Sequence, residues 1–198
     1  MKLKLKVVEI FNSIQGEGAN VGRAATFIRL SNCNKNCSFC DTDWDKGTEM
    51  TMDEVLAEVK KYSSNMIIWT GGEPTLQLTD DILSNFKGYY QAIETNGTNP
   101  VPLGIDYISC SPKVGLAILN SNFKKVDEFR YPVVAGDEIP SIDELPLASN
   151  YFLSPIFVGE VKKRLEINQK NLDYCLSVIQ QDSRWRLSVQ LHKLLNVQ

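Results

Sequence analysis

The chain has 198 residues, of which 43% are hydrophobic and 23% charged, with a formal net charge of −3. These values are typical of a globular protein with a substantial core, and the lack of a lysine- or arginine-rich block argues against a nucleic-acid-binding groove. No apolar run approaches the roughly 18 residues of a membrane-spanning helix, and the amino terminus lacks the pattern of a signal peptide, so we expect a cytoplasmic protein without a membrane contact.

Apolar and β-branched runs alternate with polar, Gly- and Pro-rich segments, which predicts a series of short strands. The predicted strands are Lys6–Phe11, Ala25–Leu30, Met66–Thr70, Tyr89–Glu94, Tyr107–Cys110, Phe129–Val134, Tyr151–Leu153 and Arg186–Gln190.

Fewer segments have helical periodicity. A capping-box pattern, Thr51 with Glu54, precedes an apolar stripe and predicts a first helix. A second helix is predicted from Thr79 to about Lys87, and a third from Gln169 to about Gln180.

Alternation of strands and helices predicts a mainly parallel sheet. The connection from Asn96 to Ile105 is too short for a crossover helix, which needs a dozen or more residues. We therefore expect an α/β fold with few helices, an incomplete, open barrel formed by a single domain over residues 1–198.

Unusual residues follow several predicted strands. They are CNKNCSFCDT (residues 33–42), TGGEP (Thr70–Pro74), ETNG (Glu94–Gly97), SPK (Ser111–Lys113) and LSP (Leu153–Pro155). Because the carboxyl ends of parallel strands meet at one edge of a sheet, these loops predict one composite site.

Three cysteines, Cys33, Cys37 and Cys40, have the spacing C-x3-C-x2-C. Without an export signal, such a group favours a metal or redox site over a disulfide framework. A structural zinc site needs four ligands, whereas a [4Fe–4S] cluster held by three thiolates keeps one iron open to a small molecule. Thiolates suit both metals, so ligand type leaves the choice open. The remaining cysteines, Cys110 and Cys175, are predicted to be structural.

The cysteine spacing, with Phe39 before the third cysteine, resembles the radical S-adenosylmethionine (SAM) superfamily. The resemblance implies a [4Fe–4S] cluster on the three cysteines, SAM on the open iron, and reductive cleavage of SAM to a 5′-deoxyadenosyl radical. The TGGEP segment supports this reading, since two glycines allow close approach of a ligand and Glu73 offers an acceptor for an ammonium group.

The segment SIQGEGANVGRAATFIRLSNC (Ser13–Cys33), with the motifs above and the final SVQLHKLLN, resembles the 7-carboxy-7-deazaguanine synthase family over nearly the full chain. The resemblance implies a radical SAM lyase that converts 6-carboxy-5,6,7,8-tetrahydropterin to 7-carboxy-7-deazaguanine with loss of ammonia. It also implies a magnesium ion, an electron donor such as a flavodoxin, and a homodimer.

The same resemblance assigns site residues. The implied substrate contacts are Ile14, Gln15, Gly16, Glu17, Arg29, Thr70 and Gln198. The implied SAM contacts are Phe39, Gly72, Glu73, Ser111, Pro112, Lys113 and Ser154. Thr42 is the implied magnesium ligand. Chemically, the Gln15 amide can donate to and accept from a pterin edge, and Arg29 can bind a carboxylate in bidentate fashion.

Two other functions remain open at this stage. A small radical SAM activase, which forms a glycyl radical on a partner enzyme, would share the cysteine spacing but would not need the IQGEG segment. A zinc- or cluster-binding regulatory module without catalysis would leave TGGEP and Arg29 unexplained.

Overall fold

A computed structural model describes residues 3–40, 42–157 and 167–197. The strands are β1 (Lys4–Ile14), β2 (Ala24–Leu30), β3 (Thr48–Thr51), β4 (Met66–Gly71), β5 (Tyr90–Thr95), β6 (Tyr107–Cys110), β7 (Lys125–Val133), β8 (Leu147–Pro155) and β9 (Trp185–Leu187). The α-helices are α1 (Met52–Val59), α2 (Asp80–Leu83), α3 (Leu116–Asn122), α4 (Gln169–Gln181) and α5 (Leu191–Leu195).

All the described strands form one sheet in the order β3-β1-β2-β4-β5-β6-β7-β8-β9. β1 is antiparallel to both of its neighbours, and every later pair, from β2·β4 to β8·β9, is parallel. Within the described residues β3 and β9 each pair on one side only, so the sheet stays open. The predicted α/β fold, an incomplete barrel with mainly parallel strands, is confirmed.

Helices cover one face of the sheet because alternate side chains of the central strands are apolar. On β4, Ile67 and Trp69 are fully buried in a core shared with α1 and α2, where the Trp69 ring meets Phe86 edge to face at 5.0 Å. Met66 and Ile68 point to the opposite face, and Thr70 follows them there at the strand end. The predicted site residue Thr70 therefore lies on this opposite face.

The loop of the β1–β2 hairpin, residues 15–23, lies across this inner face. Its residues make hydrogen bonds to Glu94 on β5, Glu128 on β7, Ser154 on β8 and Ser188 after β9. One short loop can reach strands so far apart in the sheet order only because the sheet curves around it. The loop therefore lies on the concave side of the curved, open sheet.

The sequence predicts most elements within a few residues. The Thr51–Glu54 capping box is confirmed, with the Thr51 hydroxyl accepting from the Glu54 N–H at 3.3 Å and Glu54 accepting from the Thr51 N–H at 2.7 Å. The connection between β5 and β6 contains no helix, as predicted.

The sequence analysis missed two elements and placed the end of a third wrongly. The edge strand β3 was missed because only four residues form it. Helix α3 was missed because its N-cap, Gly115, offers no capping side chain. The last strand was predicted to run to Gln190, but it ends at Leu187 and the chain then turns into α5.

In the described parts of the chain, no helix combines the length and apolar character needed to cross a bilayer.

Candidate functional site

The loop that carries the three cysteines begins directly after β2. Asn32 adopts a left-handed backbone conformation (φ 69°) and donates its N–H to the Trp44 carbonyl at 2.9 Å, which closes the loop. The amide nitrogen of Asn96, from the loop after β5, lies 4.0 Å from the Cys33 sulfur. All three cysteines line one cavity of about 860 Å³.

The three thiols form a donor set that suits an iron–sulfur cluster. Among the described residues, no three His, Cys, Asp or Glu side chains converge to hold one metal ion. Thiolates that bind separate corners of a cubane do not need to converge on one point. The donor set of three soft thiolates in one cavity therefore fits a [4Fe–4S] cluster.

The two glycines of TGGEP follow β4, where the chain crosses the start of the cysteine loop. A Cβ at Gly71 would collide with the Leu30 backbone, and a Cβ at Gly72 would collide with the Asn32 carbonyl. The Gly72 N–H donates to Leu30 O at 2.9 Å. The close approach that these glycines allow is thus to the chain's own backbone, and it fastens the cysteine loop to the sheet.

The Glu73 carboxylate lies behind the cavity wall rather than on it. It is fully buried and accepts hydrogen bonds from the Thr75 N–H (3.0 Å) and hydroxyl (2.6 Å), the Thr95 hydroxyl (2.9 Å) and the Asn96 N–H (2.7 Å). These contacts fill the positions at which a carboxylate accepts. Glu73 therefore ties the loops after β4 and β5 together.

Most of the residues predicted to contact SAM line the same cavity as the cysteines. They are Phe39, Gly72, Ser111, Lys113 and Ser154. Pro112, like Glu73, is buried outside this lining. The Lys113 ammonium lies 5.5 Å from the centre of the Phe39 ring, and burial lowers the pKa of Lys113.

The residues predicted to contact substrate line a second cavity of about 360 Å³. They are Ile14, Gln15, Gly16, Glu17, Arg29 and Thr70, and Thr42 joins them. Gln198 lies outside the described residues, but its neighbour Val197 lines this cavity.

Arg29 is held in a defined orientation in the second cavity. Its Nε donates to Glu9 Oε1 at 2.7 Å, its Nη1 donates to the Thr42 hydroxyl at 3.3 Å, and its guanidinium carbon lies 5.6 Å from the centre of the Phe11 ring. Phe11 in turn stacks on Phe27 at 5.0 Å. The site thus offers an oriented cation beside an apolar aromatic surface.

The two cavities share a wall. Their common lining residues are Glu17, Thr70, Glu94, Arg130, Gln190 and Lys193. A ligand in the cysteine cavity and a ligand in the second cavity would therefore meet across these side chains.

The sequence analysis assigned no role to the ionic network in this wall. Arg130, 8% exposed, forms an ion pair with Glu94, contacts Glu128 Oε1 at 3.1 Å and lies 3.7 Å from Glu17 Oε1. Burial alone would lower the pKa of Arg130, but the three carboxylates outweigh it and raise that pKa. Glu128 and Arg130 are two residues apart on β7, so their side chains lie on the same face of the sheet. Opposite charges at this spacing within a strand were the sequence pattern that could have predicted the network.

The carboxy-terminal segment packs on the hairpin loop. The Leu191 N–H donates to Gly16 O at 2.9 Å, and a Cβ at Gly16 would collide with the His192 ring. The Gln15 amide is already engaged, donating to Glu94 Oε1 at 2.8 Å and accepting from the Glu17 N–H at 3.2 Å. The loop thus reaches the site in a fixed conformation.

Comparisons with known proteins agree with this geometry. The profile of the Radical SAM superfamily matches residues 27–128. A 7-carboxy-7-deazaguanine synthase of Bacteroides thetaiotaomicron is 42% identical over 194 residues, which cover 97% of this chain and 98% of the relative. The corresponding synthase of Neisseria meningitidis is 37% identical over 207 residues, covering 98% of this chain and 94% of the relative.

A solved structure also matches. The crystal structure of QueE from Escherichia coli superposes with a TM-score of 0.67 at 23% identity, covering 96% of this chain and 95% of that one, which confirms the fold. The full-length relatives are synthases rather than glycyl-radical activases. The chain belongs to the 7-carboxy-7-deazaguanine synthase family of the radical SAM superfamily.

Proposed function

We propose that this protein is a radical SAM lyase that converts 6-carboxy-5,6,7,8-tetrahydropterin to 7-carboxy-7-deazaguanine with loss of ammonia. The observation that carries the proposal is the pair of joined cavities, one lined by Cys33, Cys37 and Cys40 and the other by Arg29 and the hairpin loop. The names of the full-length relatives support the same reaction.

The cysteine cavity would hold the [4Fe–4S] cluster on its three thiolates, with SAM beside it. When bound and reduced, the cluster would supply the electron for the reductive cleavage of SAM. The SAM contacts in this proposal are Phe39, Gly72, Ser111, Lys113 and Ser154, which line the cavity. Glu73 and Pro112, which the family resemblance also assigns to SAM, lie behind this lining, where Glu73 ties the loops after β4 and β5 together.

The second cavity would bind the pterin. Glu9 and Phe11 orient Arg29 so that its guanidinium can bind the substrate carboxylate in a bidentate pair. The flat ring would lie among Ile14, Gly16 and Thr70, with the edges of Gln15 and Glu17 facing its polar atoms. The family resemblance would add Gln198, which lies outside the described residues, to these contacts.

Four parts of the proposal depend on the family resemblance. Thr42 would hold a magnesium ion together with substrate oxygens, and its hydroxyl lies 3.3 Å from an Arg29 nitrogen. A flavodoxin-type protein supplies electrons. The chain acts as a homodimer and in the cytoplasm.

The test is an anaerobic turnover assay with the iron–sulfur-reconstituted protein, SAM, magnesium, a low-potential reductant and 6-carboxytetrahydropterin. We expect 7-carboxy-7-deazaguanine in molar excess over 5′-deoxyadenosine, because SAM is regenerated in this family. The Cys37→Ala variant should lose the cluster and both products.

The result that would overturn the proposal is 5′-deoxyadenosine without any deazaguanine. That outcome would keep the radical chemistry and move the substrate elsewhere, with a glycyl-radical activase as the next candidate. A matched control is Cys175→Ala, a buried cysteine outside both cavities, which should retain the cluster and turnover.

A further inference from the structure

Three side chains lie next to one another at the wall between the cavities, where Glu94 lines both cavities and Ser109 and Glu128 are buried behind it. Strand register places Glu94 of β5 opposite Ser109 of β6, and Ser109 opposite Glu128 of β7. The Ser109 oxygen lies 3.0 Å from Glu94 Oε2 and 2.9 Å from Glu128 Oε1. A single hydroxyl therefore bridges two buried carboxyl groups.

Hydrogen counting makes this bridge unusual. A serine hydroxyl has one proton, so it can donate to only one of the two carboxyl oxygens at a time. The other contact is favourable when the carboxyl itself carries a proton and donates to the serine oxygen. Two ionised carboxylates would leave one oxygen pair without a hydrogen between them.

The partners of the two carboxyls differ. Glu128 is 1% exposed and accepts from the Ala19 N–H (2.8 Å), the Tyr107 hydroxyl (2.8 Å) and Arg130 (3.1 Å), so donors of the protein itself occupy its oxygens. Glu94 lines both cavities and accepts from the Gln15 amide and Arg130. Glu94 is therefore the member of the pair that a ligand can reach.

The charges around the pair favour one bound proton. A single guanidinium, Arg130, contacts the three carboxyls of Glu17, Glu94 and Glu128, so full ionisation would leave excess negative charge in a buried site. Burial, and then the negative charges of Glu128 and Glu17, raise the pKa of Glu94 against the opposing effect of Arg130. Besides the pair, the surrounding charged and titratable groups are Glu17, Arg130, Tyr107, Cys110, Lys113, His192 and Lys193.

We propose that Glu94 and Glu128, bridged by Ser109, share one proton at neutral pH, and that Glu94 gives this proton to the departing amine of the substrate. This step rests on the proposed function. As the C–N bond breaks, its electron pair goes to nitrogen, which takes the Glu94 proton and leaves as ammonia. The resulting carboxylate is stabilised by Arg130, and it takes up the proton that the ring carbon releases as the aromatic ring forms.

The presence of a proton shared by Glu94 and Glu128 can be tested without cluster, SAM or pterin. Infrared spectra of the cluster-free protein at neutral pH should contain the carbonyl band of a protonated carboxyl group, and this band should shift in D2O. Glu94→Gln should remove the band, and Ser109→Ala should move it. Glu49→Gln is the matched control, because Glu49 pairs with Lys4 at the surface and should leave the band unchanged.

A wild-type spectrum without a protonated carboxyl band at neutral pH would overturn the shared proton, whatever the variants do. A band that persists unchanged in folded Glu94→Gln protein would overturn its assignment to this pair. Because the measurement needs no turnover, it decides whether the pair carries a proton even if the protein proves not to make deazaguanine.

Catalytic use of the proton is tested separately, by kinetics. In the wild type, kcat should fall as pH rises through the pKa of the pair, because the acid must be protonated. Glu94→Gln should lower kcat about 100-fold or more, the usual range for loss of a general acid, with a much smaller change in the pterin KM. A kcat within about threefold of wild type would overturn this role.

Discussion

Gly18, the second glycine of the IQGEG segment, gives a sharp test of how the hairpin loop is fixed. Its backbone is left-handed, with φ of 67°, and a Cβ built on it would collide with both oxygens of the Glu128 carboxylate. The Gly18 N–H also donates to the Ser188 hydroxyl at 2.9 Å. The perturbation is Gly18→Ala.

The structure provides two separate costs. A left-handed conformation costs a non-glycine residue about 1 to 2 kcal/mol. Forcing an added methyl group into a packed site typically costs about 1 to 3 kcal/mol more. Glu128 cannot simply move away, because the Ala19 N–H, Tyr107, Ser109 and Arg130 all bind it. We therefore expect Gly18→Ala to lose about 2 to 5 kcal/mol of unfolding free energy.

Gly22 in the same loop is a matched control. It also has a left-handed backbone, with φ of 83°, but a Cβ there would meet nothing within 4 Å. Gly22→Ala should therefore lose only the unfolding free energy that corresponds to the left-handed backbone. The reduction in the entropy of the unfolded chain is the same for both substitutions. The difference between the two variants isolates the collision with Glu128, at about 1 to 3 kcal/mol.

The assay is urea unfolding of the cluster-free protein, followed by tryptophan fluorescence and compared at equal m-values. Gly18→Ala should also weaken binding of 6-carboxypterin, since it displaces the loop that lines the second cavity, whereas Gly22→Ala should bind it normally. Equal stability losses in the two variants would refute the argument that Glu128 and Gly18 are held in contact.

Other substitutions test the remaining contacts. Arg29→Lys should raise the pterin KM about tenfold or more, because an ammonium group cannot form the bidentate pair with a carboxylate. The control, Arg23→Lys in the hairpin loop, should change this KM little. Equal effects of the two substitutions would contradict the role of Arg29. Thr42→Ala should raise the magnesium concentration needed for half-maximal activity without changing cluster content, and an unaltered requirement would remove Thr42 from the metal site. Hydrogen bonding to Arg184 holds the pKa of Asp143 below its usual range, so Asp143→Asn should lower Tm at neutral pH. The difference in Tm between wild type and variant should vanish as pH falls through the Asp143 pKa of the folded protein, because the wild type then loses the ion pair too. A difference in Tm that persists in acid would contradict the link between this ion pair and stability.

Local patterns were enough to predict the cysteine loop and most of the parallel sheet. The C-x3-C-x2-C spacing places three thiols in one short loop wherever that loop lies, and apolar runs of strand length form strands in almost any context. The capping box at Thr51 was equally local, because both of its hydrogen bonds join residues three apart.

The roles of the glycines were only half predictable. A pair of glycines at a strand end indicates close approach of something, and the sequence suggested a ligand. The structure identifies the neighbours of Gly71 and Gly72 as the backbone of Leu30, at the end of β2, and of Asn32 in the loop that follows. The identity of the neighbour depends on which strand lies alongside β4, which no local pattern records.

By itself, the sequence determined the cysteine loop and the open α/β fold, because spacing and periodicity are properties of neighbouring residues, and its resemblance to a known family indicated the family. Only the tertiary structure decided that the hairpin loop lies inside the curved sheet, and that Glu94 and Arg130 in the wall between two cavities meet Ser109 and Glu128 behind it. These residues come from three strands, and their contact is set by strand order and register. Burial then makes their charges matter, because a carboxyl group removed from water must find a cation, a hydrogen bond or a proton.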